Sequence, residues 1–318
     1  MAMRSTGTPR LSVITPLFNC LHHSKAMVES LQASIPRGLS HEIILVDDGS
    51  TDGTREWLSG LGEPFRVIVN ERNLGFGAAT NRGAAQARGR VLALLNNDLV
   101  LARGWLQPML GALGALGRRA GVVGNVQFNA ESLELDHAGI AINLKGKPEH
   151  DHRPPSLACL LLRPRRRAVA VTGACVVVRR DTWVRLGGFD EVFFNGCEDV
   201  DLCLRARKAG LRNCVALRSR VLHHVSASPG RKRRDEENTR ILVERWRDEL
   251  ARLASREFTW LHFCKVVREP RDFPDPVDAW RMVFFMLGLS GRPPEVTLAQ
   301  ANAAIDLELA RWRGMSSH

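Results

Sequence analysis

The stretch EIILVDDGS, Glu42 to Ser50, decides the fold class of this chain. Its apolar, β-branched run predicts a strand that a carboxylate-rich turn stops. A second β-rich run, RLSVITPLFN, precedes it at Arg10 to Asn19, and the helical spacing of HSKAMVESLQASI lies between the two. Because strand, helix and strand in this order form a βαβ unit, the sequence predicts an α/β fold around a mostly parallel central sheet.

The same alternation continues downstream of this unit. A helix is predicted in TDGTREWLSGL, with Thr51 and Asp52 as cap candidates, then a strand in FRVIVN, a helix in GFGAATNRGAAQA and a strand in RVLALLNND. Ligands of open parallel sheets bind beyond the carboxyl ends of the strands. We therefore expect the polar residues at these strand ends to converge on one crevice: Thr15, Asp47, Asp48, Asn97 and Asp98.

After about residue 120 the regular alternation of predicted strands and helices ends. Strands are predicted in GVVGNVQFN and AVAVTGACVVVRR, and RDTWVRLGGFDE predicts a helix that ends at Gly187 and Gly188. Beyond Gly230 nearly all of the spacing is helical. The sequence thus predicts a helical C-terminal extension after the sheet.

Composition narrows the classes of function. The 318 residues are 44% hydrophobic, which indicates a globular protein with a substantial core. The net charge of +11 favours an anionic partner, but the basic runs RPRRR and RKRR lack the interleaved aromatic residues of a nucleic-acid platform. The seven cysteines form no CxxC pair and no signal-peptide pattern is found, so we expect a cytoplasmic protein.

Acidic residues recur at predicted strand ends and helix starts. They form three groups, namely Asp47–Asp48, Asp98 and Glu198–Asp199–Asp201. Asp is a common turn and capping residue, so each group alone has a purely structural explanation. Gathered at one edge of a sheet, however, the carboxylates would repel one another unless a cation or hydrogen-bond donors neutralised them, and a hard divalent ion is the usual solution.

Seven motifs occur in an order that resembles family 2 glycosyltransferases of the GT-A fold. They are SVITPLFN, EIILVDDGSTDGT, NLGFGAATNRG, LLNNDLVL, VTGACVVVRR, LGGFDEVFFNGCEDVDLCLR and VLHHVSAS, and they span Leu11 to Ser228. The sequence is most similar to the rhamnosyltransferase-like, non-processive branch. The resemblance implies three parts: residues 1–125 for nucleotide-sugar binding, 126–230 for acceptor binding and catalysis, and 231–318 as the helical extension.

The resemblance also implies a nucleotide-sugar pocket. Asp47 or Asp48 would hydrogen-bond the base and ribose, and Thr15 and Pro16 would lie beside the base. The remaining residues implied for this pocket are Asn19, Arg72, Asn73, Asn81, Asn96 and Asn97.

Metal and catalytic residues are implied in the later motifs. NND, Asn96 to Asp98, stands where the family has its DxD motif, so Asp98 would bind Mn²⁺ or Mg²⁺ together with diphosphate oxygens. His223 would complete the metal shell, with His224 as its rival. In the ED motif Asp199 would be the general base, with Glu198 as the alternative or as a residue that orients the acceptor.

Asp201, two residues on, is expected to cap the helix or to pair with Arg205 at i+4. The basic excess would help to neutralise a diphosphate leaving group.

The function that follows is an inverting, metal-dependent glycosyltransferase of cell-surface polysaccharide synthesis. Its donor would be UDP- or dTDP-linked, and its acceptor a hydroxyl of a glycan or lipid-linked sugar. A peripheral contact with the inner membrane surface is expected if AWRMVFFMLGL, Ala279 to Leu289, rests on a bilayer, although a short apolar run is more often core. The alternative class is a catalytically silent sugar-nucleotide-binding or scaffolding protein.

Overall fold

The computed structural model of the chain describes residues 8–155, 164–224, 234–268 and 276–315. The chain divides into two compact units, one of residues 1–141 and 150–235 and the other of residues 142–149 and 236–318. The basic residues Arg163 and Arg231 to Arg233 and the VSAS part of the last motif lie outside the described residues. The three predicted parts of the chain stay a prediction.

The first half of the larger unit is a repeated strand–helix alternation, as predicted. Its strands β1 to β4 and helices α1 to α3 are β1 Leu11–Leu17, α1 Leu21–Ser34, β2 His41–Asp47, α2 Thr54–Ser59, β3 Phe65–Val69, α3 Phe76–Ala85 and β4 Val91–Leu95. The four strands are parallel in the order β4-β1-β2-β3. All of β1 is buried and so is nearly all of β2, which is typical of parallel strands covered on both faces.

The second half adds strands to the same sheet, and some of these strands run antiparallel to the first four. Its elements are β5 Leu99–Leu101, α4 Leu106–Leu116, β6 Ala120–Asn129, β7 Leu135–His137, β10 Arg165–Arg167, β11 Cys175–Arg179, α5 Arg180–Leu186, α6 Glu198–Lys208 and β12 Arg212–His223. Strands β8 Ile140–Ile142 and β9 Pro148–His150, at the two ends of the 142–149 segment of the smaller unit, form a separate two-stranded sheet. The sheet follows the order β10-β12-β6-β11-β4-β1-β2-β3, with β5 beside β12 and β7 beside β6. Only β10 and β11 run against the other six strands of that path. The predicted α/β class with a mostly parallel sheet is confirmed.

Two local predictions are wrong in detail. Helix α2 begins at Thr54 with Gly53 at the N-cap in the left-handed conformation, so neither Thr51 nor Asp52 is the cap residue, although Asp52 Oδ1 accepts the Thr54 N–H at 3.2 Å. The predicted strand AVAVTGACVVVRR is a strand only over β11, because its first half makes a single bridge, Ala170 to Ile140. Residues 172–174 are instead a connecting segment that reaches the site described below.

The smaller unit is helical. It contains α7 Asp235–Arg268, whose first residue belongs to the larger unit, then α8 Pro276–Met286 and α9 Glu295–Met315. An ion pair between Lys147 and Glu308 joins the 142–149 segment to α9. Met282 and Phe285 of α8 are buried, while Trp280 on the opposite face is exposed. Among the described residues, no helix combines the length and apolar character needed to cross a membrane.

Candidate active site

A cavity of about 420 Å³ lies at the carboxyl ends of the parallel strands, as the βαβ pattern predicts. All of its lining residues belong to the larger unit. They are Pro16, Leu17, Phe18, Asp48, Asn73, Phe76, Asn96, Asn97, Asp98, Thr172, Gly173, Ala174, Phe194, Asn195, Glu198, Asp199 and Arg234. The carboxylates after β4 and at the start of α6, which are far apart in sequence, therefore share one cavity.

The two carboxylates at the end of β2 have different environments. Asp47 is fully buried outside the lining, where it accepts hydrogen bonds from Ser50 N–H at 3.0 Å and Arg55 Nε at 2.9 Å. Asp48 lines the cavity, and burial raises its pKa although hydrogen bonds oppose this. Adjacent strand residues point to opposite faces, so only one of the two reaches the cavity.

Asp48 also holds the loop that leads into α3. Its Oδ1 accepts hydrogen bonds from Asn70 Nδ2 at 2.7 Å and Leu74 N–H at 3.0 Å, and its Oδ2 accepts one from Gly75 N–H at 2.9 Å. Asn73 Oδ1 accepts from the same Gly75 N–H at 2.9 Å. These contacts fix the cavity wall.

Gly75 is required at this loop. It has φ 91°, and a Cβ there would lie 2.9 Å from the ring of Phe194. The neighbouring Phe76 N–H donates to Asn195 Oδ1 at 2.7 Å. The α3 loop and the segment before α6 therefore close together on one side of the cavity.

The NND stretch after β4 lines the cavity with all three residues. Asn96 N–H donates to Ala174 O at 2.8 Å, and Asn97 Nδ2 donates to Ser24 Oγ at 3.0 Å, so both are tied to neighbouring elements. Asp98 is 4% exposed. The strand end thus presents a nearly buried carboxylate directly after two anchored asparagines.

Asp98 lies against His223, the last residue of β12. The Asp98 Oδ1 and His223 Nε2 atoms are 3.2 Å apart, and both side chains are nearly buried. Two ligands that bind one metal ion at right angles, each about 2.1 Å from it, are separated by about 3 Å. The oxygen and nitrogen therefore have the spacing of neighbouring ligands of a divalent ion.

The described residues contain no cluster of three or more His, Cys, Asp or Glu side chains that could hold an ion by themselves. A Mg²⁺-like ion is commonly held by one or two protein ligands together with substrate phosphates and water. Asp98 and His223 fit that kind of site and do not fit an all-protein cage.

The acidic start of α6 forms another part of the lining. Asp199 Oδ2 accepts the Gly173 N–H at 2.6 Å, and its Oδ1 accepts the Val200 N–H at 2.7 Å. Glu198, which is 5% exposed, accepts the Gly196 N–H at 2.6 Å. Backbone donors thus fix both carboxylates at the cavity.

Asp201 does not share this position. It is fully buried, and its Oδ2 lies 2.7 Å from Arg205 Nε, four residues along the helix. The predicted i,i+4 ion pair is confirmed.

Six residues of the predicted site do not line the cavity. Thr15 is buried within β1, Arg72 is exposed, and His223 is buried against Asp98. Asn19 joins two loops, since its Oδ1 accepts the Thr51 N–H at 2.8 Å. The fifth is Asp47, described above, and the sixth, Asn81, is treated next.

Asn81 of α3 is engaged by the segment before α6. Its Oδ1 accepts the Phe189 N–H at 3.0 Å and its Nδ2 donates to Phe189 O at 2.9 Å. The Asn81 side-chain amide thus hydrogen-bonds both the N–H and the C=O of Phe189, outside the cavity lining. Asn81 is not among the lining residues of this cavity, and its contacts join α3 to the segment before α6.

Several lining residues are not among the site residues that the sequence predicts. Thr172 and Gly173 enter it because the chain leaves the sheet before β11, and Asn195 enters through a loop in which it adopts φ 59°. Arg234 adds a cation, with its guanidinium 5.1 Å from the Phe194 ring centre. The one sequence signal for the loop is the polar-glycine pair Asn195–Gly196 after two Phe residues.

The family model for Glycosyl transferase family 2 matches residues 12–180. The chain is 33% identical over 230 residues to the O-antigen biosynthesis protein RfbC of Myxococcus xanthus, covering 70% of this chain and 18% of that protein. It is 31% identical over 248 residues to the N-acetylglucosaminyl-diphospho-decaprenol L-rhamnosyltransferase of Mycobacterium tuberculosis, covering 70% of this chain and 79% of that protein. The chain belongs to glycosyltransferase family 2, as predicted.

Other relatives are much longer than this chain. An uncharacterized protein, y4gI of Sinorhizobium fredii, is 35% identical over 250 residues, which are 75% of this chain and 27% of that protein. The chain thus spans about a quarter or less of the length of y4gI and RfbC.

Solved structures share the fold. GalNAc-T7 with UDP, GalNAc and Mn²⁺ superimposes with a TM-score of 0.62 at 20% identity, covering 80% of this chain and 51% of that one. The mannosyltransferase PcManGT of Pyrobaculum calidifontis with GDP-Man and Mn²⁺ gives 0.52 at 19% identity, covering 98% of this chain and 82% of that one. The predicted GT-A architecture is confirmed.

Proposed function

We propose that the chain is an inverting, metal-dependent glycosyltransferase that moves a sugar from a nucleoside-diphosphate donor to a hydroxyl group. The observation that carries the proposal is the cavity in which Asp98 and Asp199 meet at the carboxyl ends of the parallel strands. Sugar transfer needs two groups there, one to bind the diphosphate and one to take the acceptor proton.

The residues for the diphosphate are Asp98 and His223. Their 3.2 Å spacing suits an ion of the Mg²⁺ or Mn²⁺ kind, with the remaining positions left to phosphate oxygens and water. A bound divalent ion would neutralise charge on the leaving diphosphate. The Mn²⁺ in both structural neighbours supports this assignment.

The base we assign is Asp199, with Glu198 as the alternative. Asp199 is half-buried at the lining and its orientation is fixed by Gly173 and Val200. The Asp199 carboxylate would accept the proton of the incoming hydroxyl. Glu198, which is more deeply buried, would then orient the acceptor.

The donor we propose carries uracil or thymine, and the parts of the site that bind it are Pro16, Asp48 and Asn73 in residues 1–125. A panel of UDP-glucose, UDP-galactose, UDP-N-acetylglucosamine, dTDP-rhamnose and GDP-mannose with Mn²⁺ tests this by thermal shift and by release of nucleoside diphosphate. We expect a UDP- or dTDP-sugar to raise the melting temperature and to turn over, and EDTA to abolish turnover. A response to GDP-mannose alone would overturn the donor assignment, and full activity in EDTA would overturn the metal assignment.

This experiment also distinguishes a glycosyltransferase from the alternative class of protein. A catalytically silent binding or scaffolding protein would show a thermal shift with a donor but no release of nucleoside diphosphate. The Asp98 and Asp199 side chains at one cavity favour the enzyme, because a scaffold has no use for either group in those positions.

The acceptor we propose is a glycan or lipid-linked sugar in cell-surface polysaccharide synthesis, reached from the cytoplasmic face of the membrane. The names of the relatives from Myxococcus xanthus and Mycobacterium tuberculosis support this class of acceptor. We assign the membrane contact to α8 and the turn after it, which carry the exposed residues Val277, Trp280, Phe284, Leu287 and Leu289. Exposed apolar side chains at helical spacing, in a chain of net charge +11, suit an anionic bilayer surface.

Flotation with phosphatidylglycerol vesicles tests the membrane contact. The double variant Trp280→Ala/Phe284→Ala should lose binding, while Leu307→Ala, an exposed leucine on α9, should retain it. Equal flotation of all three proteins would reject the α8 contact without affecting the assignment of the active site.

A further inference from the structure

Strand β7 carries an Asp136–His137 pair that no motif and no step of the proposed reaction has used. Successive residues of a strand point to opposite faces, so the two side chains serve different neighbours. Asp136 contacts His223, and His137 contacts the backbone of Thr172. The short strand therefore reaches both halves of the proposed site.

Asp136 lies on the far side of His223 from Asp98. Its Oδ2 is 3.7 Å from His223 Nδ1, whereas Asp98 Oδ1 is 3.2 Å from Nε2 of the same ring. At 3.7 Å the contact is electrostatic and longer than a hydrogen bond.

A carboxylate in this place has a known physical effect. It fixes the orientation and tautomer of the imidazole, because a negative charge beside Nδ1 favours the proton there and leaves the Nε2 lone pair for a metal ion. Asp98 is on the Nε2 side of the ring. The order Asp136, His223, Asp98 thus directs the ligand nitrogen of His223 to the proposed ion.

His137 supports the other half of the site. It is fully buried, and its Nε2 accepts the Thr172 N–H at 3.3 Å. Burial lowers its pKa well below the ordinary value, so the ring is neutral with its proton on Nδ1. The next residue, Gly173, donates its N–H to Asp199 Oδ2 at 2.6 Å, so His137 anchors the segment that orients Asp199.

We propose that Asp136 and His137 are positioning residues, the first for the metal ligand His223 and the second for the segment that holds Asp199. The inference rests on the proposed function. The two roles predict different results. Loss of the first role should lower the affinity for the metal ion, and loss of the second should lower kcat.

The Asp136 role is tested by Mn²⁺ binding, followed by electron paramagnetic resonance with MnCl₂ alone and with MnCl₂ plus UDP. Asp136→Asn keeps the size of the side chain and removes its charge, and it should weaken Mn²⁺ binding about 10- to 100-fold. Saturating Mn²⁺ should restore kcat. Asp151→Asn is the matched control, because Asp151 pairs with Arg153 and Arg166 rather than with His223, and it should bind Mn²⁺ like the wild type.

The His137 role is tested by kcat with the panel donor that the wild type uses fastest. His137→Leu removes the acceptor for the Thr172 N–H and should lower kcat about 10- to 100-fold at unchanged Mn²⁺ affinity. His137→Gln keeps an acceptor and should retain more activity. If the leucine variant does not fold, the glutamine variant decides: intact kcat there supports the role, and a loss as large as that of Asp199→Asn overturns it.

The outcomes separate this inference from the proposed function. Wild-type protein that binds no Mn²⁺, with or without UDP, would defeat the metal site and the Asp136 role together. Normal Mn²⁺ binding by both the wild type and Asp136→Asn would overturn the Asp136 role alone. Equal losses of Mn²⁺ affinity and kcat in Asp136→Asn and His137→Leu would show a general structural role and reject both assignments.

Discussion

Two acidic clusters of this chain, one after β2 and one at the start of α6, are built alike in one respect. Each contains a fully buried carboxylate that pairs with an arginine: Asp47 with Arg55 at 2.9 Å and Asp201 with Arg205 at 2.7 Å. Both arginines are close in sequence to their partners, at i+8 and i+4. Asp47 and Asp201 stabilise the turn or helix that carries the cluster. The other carboxylates of each cluster line the cavity instead.

The clusters differ in what the remaining carboxylates do. Asp48 accepts three hydrogen bonds from the loop before α3, so it builds a wall of the cavity. Asp199 accepts one backbone N–H from its own helix and one from Gly173, and it lines the same cavity as Asp98. The cavity therefore contains one carboxylate that three donors of an adjoining loop hold, and another, proposed as the general base, that two backbone N–H groups orient.

The largest effect that this comparison predicts is on Asp199. Asp199→Asn should lower kcat about 10²- to 10⁴-fold, because a general base contributes that much to the rate. Affinity for the donor should hardly change, since the base acts on the acceptor proton. Kinetics and donor titration on the purified variant measure both quantities. Near-normal kcat in Asp199→Asn together with a loss in Glu198→Gln would move the base to Glu198.

A smaller effect, on binding and stability, is expected at Asp48. In Asp48→Asn an amide N–H would face the Gly75 N–H, which is 2.9 Å from Oδ2 in the native protein. The new amide N–H would then be a buried donor without an acceptor, which costs about 1–3 kcal/mol, so we expect that loss in unfolding free energy and weaker binding of UDP. Urea unfolding and calorimetric titration with UDP test this. Unchanged stability would mean that Asp48 does not hold the loop.

The ion-paired members should affect stability without affecting chemistry. Asp47→Asn and Asp201→Asn each lose a charge partner of an arginine, and we expect a loss of about 1–3 kcal/mol in unfolding free energy with normal kcat. Urea unfolding of both variants beside the wild type provides the measurement. A large loss of kcat in a fully folded Asp201→Asn would place Asp201 in the active site and remove the contrast with Asp199.

The smallest effect is expected from an exposed pair outside both clusters. The hydrogen bond from Arg179 lowers the pKa of Asp181 from 3.8 to about 2. A lowered folded-state pKa stabilises the protein above the unfolded value, and this contribution is lost as the pH falls from about 4 to about 2. Because Asp181 is largely exposed, Asp181→Asn should cost no more than about 1 kcal/mol near neutral pH.

Urea unfolding at pH 6 and pH 2.5 checks the sign of the Asp181 effect. The difference between the wild type and Asp181→Asn should shrink at the lower pH. A difference that grows with acid would mean that the Arg179 contact does not stabilise the charged carboxyl.

The sequence by itself determined the alternation of strands and helices in the first half of the larger unit, because short β-branched apolar runs such as EIILV, each stopped by a polar turn, favour strands. It also determined the Asp201–Arg205 pair, since residues four apart on a helix are neighbours by geometry. Family membership followed from the ordered motifs, which the match over residues 12–180 bears out.

Only the tertiary structure decided which polar residues meet. Asp47 and Asp48 are adjacent in sequence, yet the strand period sends one to Arg55 and the other to the cavity, and the register of β2 against β1 and β3 sets which one. Asn81 and Asp136 find their partners at sequence separations of 108 and 87 residues. Such contacts depend on how the sheet brings loops together, and no local pattern of hydrophobicity or propensity contains that information.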